Sequence, residues 1–535
     1  MSRIARKPIA DAGKTPSEAH KPMAVIELGT TSVRMLIAQK EPSGELRVLD
    51  TLQQPVTLGR DTFTRGDIGL ETTERCVQAL KKFRLSLREY EVDLNTHVRA
   101  VATSAVREAS NRQAFLDRLF VATGIDIEDL APSEVSRFTY IAVQPLLRSE
   151  PVLRKVETLI AEVGGGSTEI LHTRDGRAVQ AHVFRLGSLR LREMMEGQAT
   201  PPARMREVLV SQVDQAVRQI VQVLPSNMPS GMLALGGDAR WAMSAVPAET
   251  VGPHLTRISV RDLSDLAGEV LGLSVNEVVR RYHLSYPDAE TLGPALLVYV
   301  RLAKALRLNH FLVGNATLRD GVLHEMAGVR LWTAEHTQEI VDAAIEIGRK
   351  FGFDQPHAAN VTALARHLFH ALREEHGLHA RSELVLAVAS TLHDIGLFIS
   401  PSSHHKHSLY LILNSDIFGL RTGDQMLAAL VARYHRRAFP DPDHEFYATL
   451  NRADRVTVLK LAAILRVADA LDCRHGARLP MPEVAVEPGR LIITLRTRRD
   501  LTLERHALHA KGEIFKHVYG MDVILQNLSR QPLHE

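Results

Sequence analysis

Residues 24–32 read AVIELGTTS, and residues 159–168 read LIAEVGGGST. In both stretches an apolar segment ends at one glutamate and is followed by a turn of glycine and hydroxyl residues and by a second apolar segment. The copies align without a gap, which pairs Glu27 with Glu162, Gly29 with Gly164 and Ser32 with Ser167. A repeat with its acidic residue in register predicts two related halves of one fold.

The composition of the two turns points to phosphate. Glycine lets the backbone approach a ligand closely, and N–H and O–H groups together form a nest that suits phosphate oxygens. A carboxylate at the end of a strand can hold a cation or orient water. An ordinary tight hairpin is the alternative for either copy alone, but the in-register repeat disfavours it. The predicted phosphate-binding residues of the two loops are Gly29, Thr30, Thr31, Ser32, Gly164, Gly165, Gly166, Ser167 and Thr168.

The arrangement resembles the sugar-kinase, Hsp70 and actin superfamily, in which duplicated ribonuclease-H-like subdomains flank a phosphate site. Within that superfamily, residues 99–111, RAVATSAVREASN, look like the ATSA-x-R-x-A-x-N motif of the exopolyphosphatase/guanosine pentaphosphate phosphatase family. Four shorter matches occur along the chain in the same order as in the family: TLG at 57–59, RLGSLRLRE at 185–193, ALGGDAR at 234–240 and LRDGVL at 318–323. The resemblance spans roughly residues 22 to 535.

A chain of 535 residues is too long for a single core. The resemblance implies an α/β fold with two duplicated ribonuclease-H-like (actin-like ATPase) domains, followed by an all-α HD-type domain and a small C-terminal α/β piece. The predicted division is a disordered tail at 1–21, domain I at 22–133, domain II at 134–328, the helical domain at 329–478 and the C-terminal domain at 479–535.

Composition is that of an ordinary globular protein, with 45% hydrophobic and 24% charged residues. The two cysteines imply no disulfide framework, and no apolar run reaches the ~20 residues of a transmembrane helix. We therefore expect a cytoplasmic protein that binds neither a membrane nor a specific nucleic acid. The net charge of +3 is modest, and arginine, a good phosphate ligand, outnumbers lysine. The family's relatives suggest a homodimer.

The helical domain carries a second group of candidate residues. His393 and Asp394 end an apolar helix, Asp469 lies within another apolar helix, and His357 opens a third. A carboxylate in such a place is costly unless it binds a metal or a charged partner. These four residues resemble the H…HD…D pattern of the HD phosphohydrolases, and they suit Mn²⁺, Fe or Zn²⁺. Two further histidines, His407 and His435, stand where two-metal HD proteins place additional ligands.

The front half departs from the family pattern at four positions. Glu27 and Glu162 stand where the family has aspartate, and they are the predicted ligands of a divalent cation, Mg²⁺. Val135 occupies the place of the water-activating glutamate, so Glu134, one residue earlier, would have to serve as the base. Asp238 replaces a threonine of the third loop. The remaining predicted phosphate ligands are Arg34, Arg107, Gly236 and Gly237.

Three functions remain open at this point. The first is an exopolyphosphatase that releases terminal phosphate from inorganic polyphosphate, or from guanosine pentaphosphate. The second is a front half that only binds polyphosphate or a guanosine phosphate, with hydrolysis by the HD-type domain. The third is a non-catalytic phosphate sensor. The geometry around Glu134 and Val135 discriminates between them, because the first function needs a carboxylate that faces the cleft.

Overall fold

The structure, a computed structural model, describes residues 21–154, 156–196, 202–224, 228–328, 334–436, 438–475 and 479–528. Apart from Lys21, the predicted disordered tail lies outside the described residues. The described chain forms two compact units. The first runs up to Ile170 and resumes from Val183 to the gap at 329–333, and the second comprises Leu171–His182 and the residues beyond that gap.

The first sheet of the first unit has five strands in the order β3-β2-β1-β4-β5. Strands β1, β2 and β3 are antiparallel neighbours, whereas β4 and β5 run parallel to β1. The strands are β1 (Met23–Leu28), β2 (Ser32–Lys40), β3 (Leu46–Pro55), β4 (Val98–Ala102) and β5 (Ile127–Asp129). Strand β1 is almost fully buried, as expected for a central strand covered on both faces.

The second sheet repeats this arrangement and extends it, in the order β10-β11-β12-β9-β6-β7-β8. Its strands are β6 (Thr158–Val163), β7 (Thr168–Arg174), β8 (Arg177–Phe184), β9 (Gly231–Leu235), β10 (Ala248–Gly252), β11 (Leu255–Ser259) and β12 (His310–Gly314). Strand β6 takes the place of β1, with β7 on one side and the parallel strand β9 on the other. The duplicated ribonuclease-H-like fold is thereby confirmed.

Thirteen helices accompany these sheets in the described part of the chain. They are α1 (Leu58–Arg65), α2 (Leu70–Glu89), α3 (Ser104–Arg107), α4 (Arg112–Thr123), α5 (Pro132–Ser149), α6 (Pro151–Arg154), α7 (Ser188–Glu196), α8 (Pro202–Val223), α9 (Gly237–Ala245), α10 (Val260–Val270), α11 (Val275–Tyr282), α12 (Tyr286–Ala305) and α13 (Leu318–Met326). Among the described residues, no helix combines the length and apolarity needed to cross a bilayer.

Helices cover both faces of the first sheet. One face packs on α2 and α4 through residues such as Phe83 and Leu119. The other face packs on α5 and α13, through Phe138 and Val322. Helix α5 begins at the predicted boundary between domains I and II, and α13 lies in predicted domain II. The apolar faces of both are buried against the first sheet, because its second face would otherwise be exposed to water. The division into domains stays a prediction.

The second unit is mainly helical and ends in a small sheet. Its helices are α14 (Ala334–Lys350), α15 (Gln355–Ala371), α16 (Arg373–His376), α17 (Arg381–Leu392), α18 (His404–Leu413), α19 (Thr422–Arg433), α20 (Arg452–Leu471), α21 (Thr502–Lys511) and α22 (Glu513–Tyr519), with a 3₁₀ turn at Ile395–Phe398. The sheet, of order β13-β14-β15, is formed by β13 (Glu483–Glu487), β14 (Arg490–Leu495) and β15 (Asp522–Asn527). Helix α20 is central and buries nearly all of its second half.

Candidate active site and a second side-chain cluster

The two repeated loops line one cavity of about 360 Å³ within the first unit. The loops have the same turn geometry, because the N–H of Gly29 donates to the carbonyl of Ser32 (3.0 Å) and the N–H of Gly164 to that of Ser167 (2.8 Å). The predicted residues that line this cleft are Glu27, Gly29, Thr30, Thr31, Ser32, Arg34, Glu162, Gly164, Gly165, Gly166, Ser167, Gly236 and Gly237. The sequence therefore predicts most of one contiguous surface.

Two glycines of the second loop leave no room for a side chain. A Cβ at Gly165 would lie 2.8 Å from the side chain of Thr30. A Cβ at Gly166 would lie 2.4 Å from Ser104 Oγ and 2.7 Å from the ring of Phe63. Contacts this short do not occur in folded proteins, so only glycine permits the two loops to form opposite walls of one narrow site.

Three glutamates converge in the cleft. Glu27 forms an ion pair with Arg319, which also lines the cleft. Burial and the nearby Glu27 raise the pKa of Glu162 to about 7, and its Oε2 is buried without a hydrogen-bond partner among the described residues. Burial and the charge of Glu162 raise the pKa of Glu169 well above its usual range. Crowded carboxylates of this kind attract a cation.

A divalent cation would relieve this repulsion. Carboxylate oxygens are the ligands that Mg²⁺ prefers, and Glu162 offers an oxygen that is otherwise unsatisfied. The chemistry of the donor set therefore fits the expected Mg²⁺ site, with Glu27 and Glu162 as the residues that would hold the ion.

Arginine side chains supply the positive charge of the cleft. Arg34, Arg240 and Arg319 line it. One guanidinium nitrogen of each is buried without a partner among the described residues: Nε of Arg34, Nη1 of Arg240 and Nε of Arg319. Buried N–H donors are normally satisfied, so these groups are suited to phosphate oxygens. Only Arg34 was singled out from the sequence, although the other two lie within motifs recognised there.

Two predicted phosphate ligands do not line the cleft. Arg107 donates instead to the carbonyl oxygen of Leu130 at 2.7 Å. Thr168 is the first residue of β7, and its hydroxyl donates to the carbonyl oxygen of Leu186. Each residue supports the backbone around the loops through one donor that a main-chain oxygen accepts.

The prediction that Glu134 is the substitute base is wrong, because its side chain does not line the cleft. Val135 lines the cleft, whereas Glu134 does not. The charges that act on Glu134 are those of Arg137, Glu128 and Arg99, which belong to a different surface. The two side chains differ in direction because successive residues of a helix are rotated by ~100°.

The sequence reasoning missed Glu169, which does line the cleft. It lies one residue into β7, and the hydroxyl of Thr139 donates to it at 3.4 Å. The sequence contains one signal for Glu169. A glutamate directly before the apolar pair Ile170 and Leu171 places a charge within an apolar strand, where a charge is costly without a function.

Asp238, in the first turn of α9, also lines the cleft. Burial, followed by repulsion from Asp288, raises its pKa to about 7. A carboxyl group whose pKa is higher in the folded state binds its proton more tightly there. Its contribution to stability is therefore present at low pH and is lost as the pH rises from about 4 to 7.

We expect Asp238→Asn to be more stable than the wild type at pH 8, by roughly 3 °C in Tm, with the difference closing towards pH 4. Asparagine keeps the size of the side chain but never becomes a buried anion. Thermal unfolding followed by circular dichroism between pH 4 and 8 measures this. Asp117→Asn, at an exposed position of α4, is the control and should show no such trend. A pH-independent difference for Asp238→Asn would contradict the assignment.

The second unit brings together the histidines and aspartates predicted from its sequence, here called the His/Asp cluster. His357 Nε2 lies 3.3 Å from His393 Nε2, 3.9 Å from Asp394 Oδ2 and 3.8 Å from Asp469 Oδ1. The cluster continues through His435, whose Nε2 lies 3.4 Å from Asp394 Oδ1. Five of the six predicted residues therefore converge.

The sixth predicted residue, His407, is not among the described residues that converge on the cluster. His404 takes that place, with its Nε2 3.2 Å from both Asp394 Oδ1 and His435 Nε2. His404 and Ser408 are buried four residues apart on one face of α18, whereas His407 is partly exposed. The run HHKH at 404–407 carries no signal that selects its first histidine over its last, because the two lie within one helical turn.

Charged and polar neighbours surround the cluster. The ammonium of Lys511 forms an ion pair with Asp469 Oδ2, which leaves Oδ1 directed at His357. Asp472 Oδ2 accepts a hydrogen bond from His357 Nδ1 at 2.6 Å, and Asp472 Oδ1 accepts one from Asn360 at 2.7 Å. Lys511 thus binds one oxygen of Asp469 and leaves the other free to act as a ligand.

Duplicated sheets around a cleft lined with glycines, carboxylates and arginines define a protein of the actin-like class. The chain belongs to the Ppx/GppA phosphatase family, whose model matches residues 36–329. A second model, Ppx/GppA phosphatase domain III, matches residues 341–512. The resemblance of this helical part to HD phosphohydrolases stays a prediction.

Similar proteins agree with this assignment. Guanosine-5'-triphosphate,3'-diphosphate pyrophosphatases of Photobacterium profundum and Pseudoalteromonas translucida are 21% and 22% identical. The first comparison covers 88% of this chain and 91% of the relative, and the second covers 91% and 94%. An exopolyphosphatase structure from Cytophaga hutchinsonii ATCC 33406 is 22% identical with a TM-score of 0.51, and the match covers 57% of this chain and 98% of that one. This last similarity supports the fold.

Proposed function

We propose that the cleft of the first unit hydrolyses the terminal phosphoanhydride bond of a polyphosphate chain and releases inorganic phosphate. The observation that carries the proposal is the convergence of two phosphate loops, three glutamates and three arginines on one cavity. The glycine loops admit a chain of phosphates at close range, and the arginines neutralise its charge. The glutamates supply what hydrolysis needs besides binding, namely a base and a cation site.

The reaction would proceed by attack of water on the terminal phosphorus, with the shortened phosphate chain as the leaving group. Glu169 would accept the proton of the attacking water, since its carboxylate lines the same cavity as the two phosphate loops. Arg34, Arg240 and Arg319 would bind the phosphate oxygens as charge develops on them. Mg²⁺ held by Glu27 and Glu162 would add further charge neutralisation when bound.

A guanosine phosphate is the second candidate substrate, and one feature of the cleft favours it. Trp241 and Leu284 line the same cavity as the phosphate loops, and Trp241 packs edge-on against Tyr282 with ring centroids 5.2 Å apart. An apolar and aromatic wall at a phosphate site can accept a base. The names of the relatives from Photobacterium and Pseudoalteromonas point in the same direction.

Phosphate release from polyphosphate and from guanosine-5'-triphosphate,3'-diphosphate, each with Mg²⁺, tests the proposal. We expect release from at least one substrate, and Glu162→Gln should lower it on the order of 100-fold by weakening charge stabilisation. Asp394→Ala, in the second unit, is the control and should keep the front activity. The reverse pattern, in which Asp394→Ala abolishes release and Glu162→Gln does not, would contradict a catalytic front cleft.

The homodimer that the resemblance to relatives implies stays a prediction. The cytoplasmic location stays a prediction as well. Size-exclusion chromatography with light scattering would measure the oligomeric state.

A further inference from the structure

We propose that Arg190, held in place by Glu108, is a positioning residue that fixes the peptide between Gly166 and Ser167 and so turns the N–H of Ser167 towards the cleft. This role rests on the function proposed above, because it serves the same cleft. Neither Arg190 nor Glu108 is among the described residues that line the cavity. Both would therefore act through the second phosphate loop and not by touching the substrate.

The start of α7 holds the first two carbonyl groups of the second loop. The carbonyl oxygen of Gly164 accepts a hydrogen bond from the main-chain N–H of Ser188 at 2.9 Å. The carbonyl oxygen of Gly165 accepts from the main-chain N–H groups of Leu189 and Arg190, at 3.0 Å each. Main-chain hydrogen bonds from one helical turn therefore fix this part of the loop.

The third carbonyl group of the loop has a different kind of donor. The carbonyl oxygen of Gly166 accepts from the side chain of Arg190, whose Nε lies at 3.0 Å. Thr31 is the corresponding residue of the first loop, and its carbonyl oxygen accepts from the main-chain N–H of Val56 at 3.0 Å. The two loops thus differ at this position, since only the second depends on a side chain there.

The direction of the carbonyl groups sets the direction of the N–H groups. In a trans peptide the C=O and N–H bonds point to opposite sides. With the three carbonyl groups turned to α7, the N–H groups of Gly165, Gly166 and Ser167 point the other way, and all three residues line the cleft. Successive N–H groups of this kind form a nest for phosphate oxygens.

The last peptide of this nest needs a restraint of its own. Gly166 has no Cβ, so the peptide that follows it can rotate at a low energetic cost. Rotation would turn the carbonyl oxygen of Gly166 towards the phosphate chain and the N–H of Ser167 away from it. The hydrogen bond from Arg190 opposes this rotation, because it holds the carbonyl oxygen against α7.

The side chain of Arg190 is itself held on two sides. Its Nη2 lies 2.8 and 2.9 Å from the two carboxylate oxygens of Glu108. Its guanidinium carbon lies 4.0 Å from the centre of the Phe63 ring. The rigid fork of arginine lets one nitrogen bind the carboxylate while another binds the carbonyl of the loop, which the single ammonium of a lysine does less well.

Both groups that hold Arg190 belong to the half with the first sheet. Glu108 follows the last residue of α3, and Phe63 lies in α1. Arg190 and the loop that it contacts belong to the half with the second sheet. The first half therefore completes the phosphate loop of the second, and Arg190 fixes the two phosphate loops relative to each other.

Steady-state phosphate release from polyphosphate with Mg²⁺ tests the effect on binding. Arg190→Met should raise the KM on the order of 10-fold with a smaller change in kcat, because methionine keeps an unbranched stem but donates no hydrogen bond. A fall in kcat with an unchanged KM is the result of a smaller folded fraction. That outcome, or wild-type kinetics, would overturn the proposal.

Arg185→Met is the matched control. Arg185 also binds Glu108, with its Nη2 2.6 Å from Oε2, but its side chain is 76% exposed. The variant makes the same chemical change beside the same carboxylate, and its KM should equal that of the wild type. A rise in KM equal to that of Arg190→Met would show that the charge around Glu108, and not the hold on the loop, sets the affinity.

Glu108→Gln tests whether Glu108 acts through Arg190, and it also covers the case in which Arg190→Met does not fold. The KM should rise severalfold in this variant, because the guanidinium loses its charged partner. In the Arg190→Met background the same change should add nothing. A wild-type KM in Glu108→Gln, or a further rise in the double variant, would overturn the role of Glu108.

A crystal structure of Arg190→Met tests the position of the peptide without any substrate. The carbonyl oxygen of Gly166 should no longer lie against α7, whereas those of Gly164 and Gly165 should keep their main-chain partners. In Arg185→Met the whole loop should match the wild type. An unchanged loop in Arg190→Met would overturn the positioning role. If the wild-type protein releases phosphate from neither substrate, the proposed function fails, and this comparison still decides whether Arg190 holds the loop.

Discussion

Glu169→Gln should lower the turnover of phosphate release by roughly 10²–10⁴-fold, the loss typical of removing a general base. Glu169 lines the cleft within the same strand-loop as Ser167, and its raised pKa reflects burial and the charge of Glu162. Glutamine keeps the shape of the side chain and cannot accept a proton. Steady-state kinetics should therefore show a fall in kcat with little change in KM.

Glu134→Gln is the matched control, because it makes the same chemical change one residue before the cleft-lining Val135. We expect its turnover to stay close to that of the wild type. If Glu134→Gln lost activity while Glu169→Gln kept it, the base would have been assigned to the wrong carboxylate.

Val135→Glu provides a rescue experiment in the Glu169→Gln background. Val135 faces the cleft, so a glutamate there would place a new carboxylate in the same cavity. Turnover of the double variant should rise above that of Glu169→Gln. Failure to rise, with binding intact, would show that a base at this position cannot reach the attacking water.

Gly165→Val should abolish binding of polyphosphate while the protein stays folded. A Cβ at this glycine would meet Thr30 at 2.8 Å, and the branched side chain would push the two phosphate loops apart. The loops act together as the walls of one site, so their separation removes the contacts of both with the phosphate chain. Isothermal titration with polyphosphate in the presence of Mg²⁺ measures the loss.

Gly423→Val is the control for this prediction. Gly423 lies in the first turn of α19, and a Cβ there would meet no atom within 4 Å. Binding should be unchanged in this variant. Normal binding by Gly165→Val, with its fold verified by circular dichroism, would mean that the second loop does not contact the phosphate chain.

Local patterns were enough to predict the two halves of the fold and most of the cleft. Each loop is a short stretch in which an apolar strand, one carboxylate and small residues follow in order, as around Glu27 and Glu162. Consecutive residues of this kind favour a strand and a tight turn, so their chemistry is readable along the chain.

The predicted site residues were wrong by one to three positions where the direction of a side chain decides whether it reaches the site. Glu134 and Val135 are neighbours in the chain, yet only the valine faces the cleft. His404 and His407 are one helical turn apart, yet only His404 reaches the cluster. Rotation by ~100° per residue sends neighbouring side chains to different surroundings, and a sequence alone does not say which face of a helix is turned inward.

The sequence by itself determined the duplicated fold, the glycine loops and the set of residue types available for phosphate and metal. Tertiary structure decided which of these residues meet. It placed Glu169 and the arginines beside the loops, and it buried α5 and α13 against the first sheet. The physical reason is that such contacts join residues far apart in the chain, and apolar surface is buried against whichever face the topology leaves uncovered.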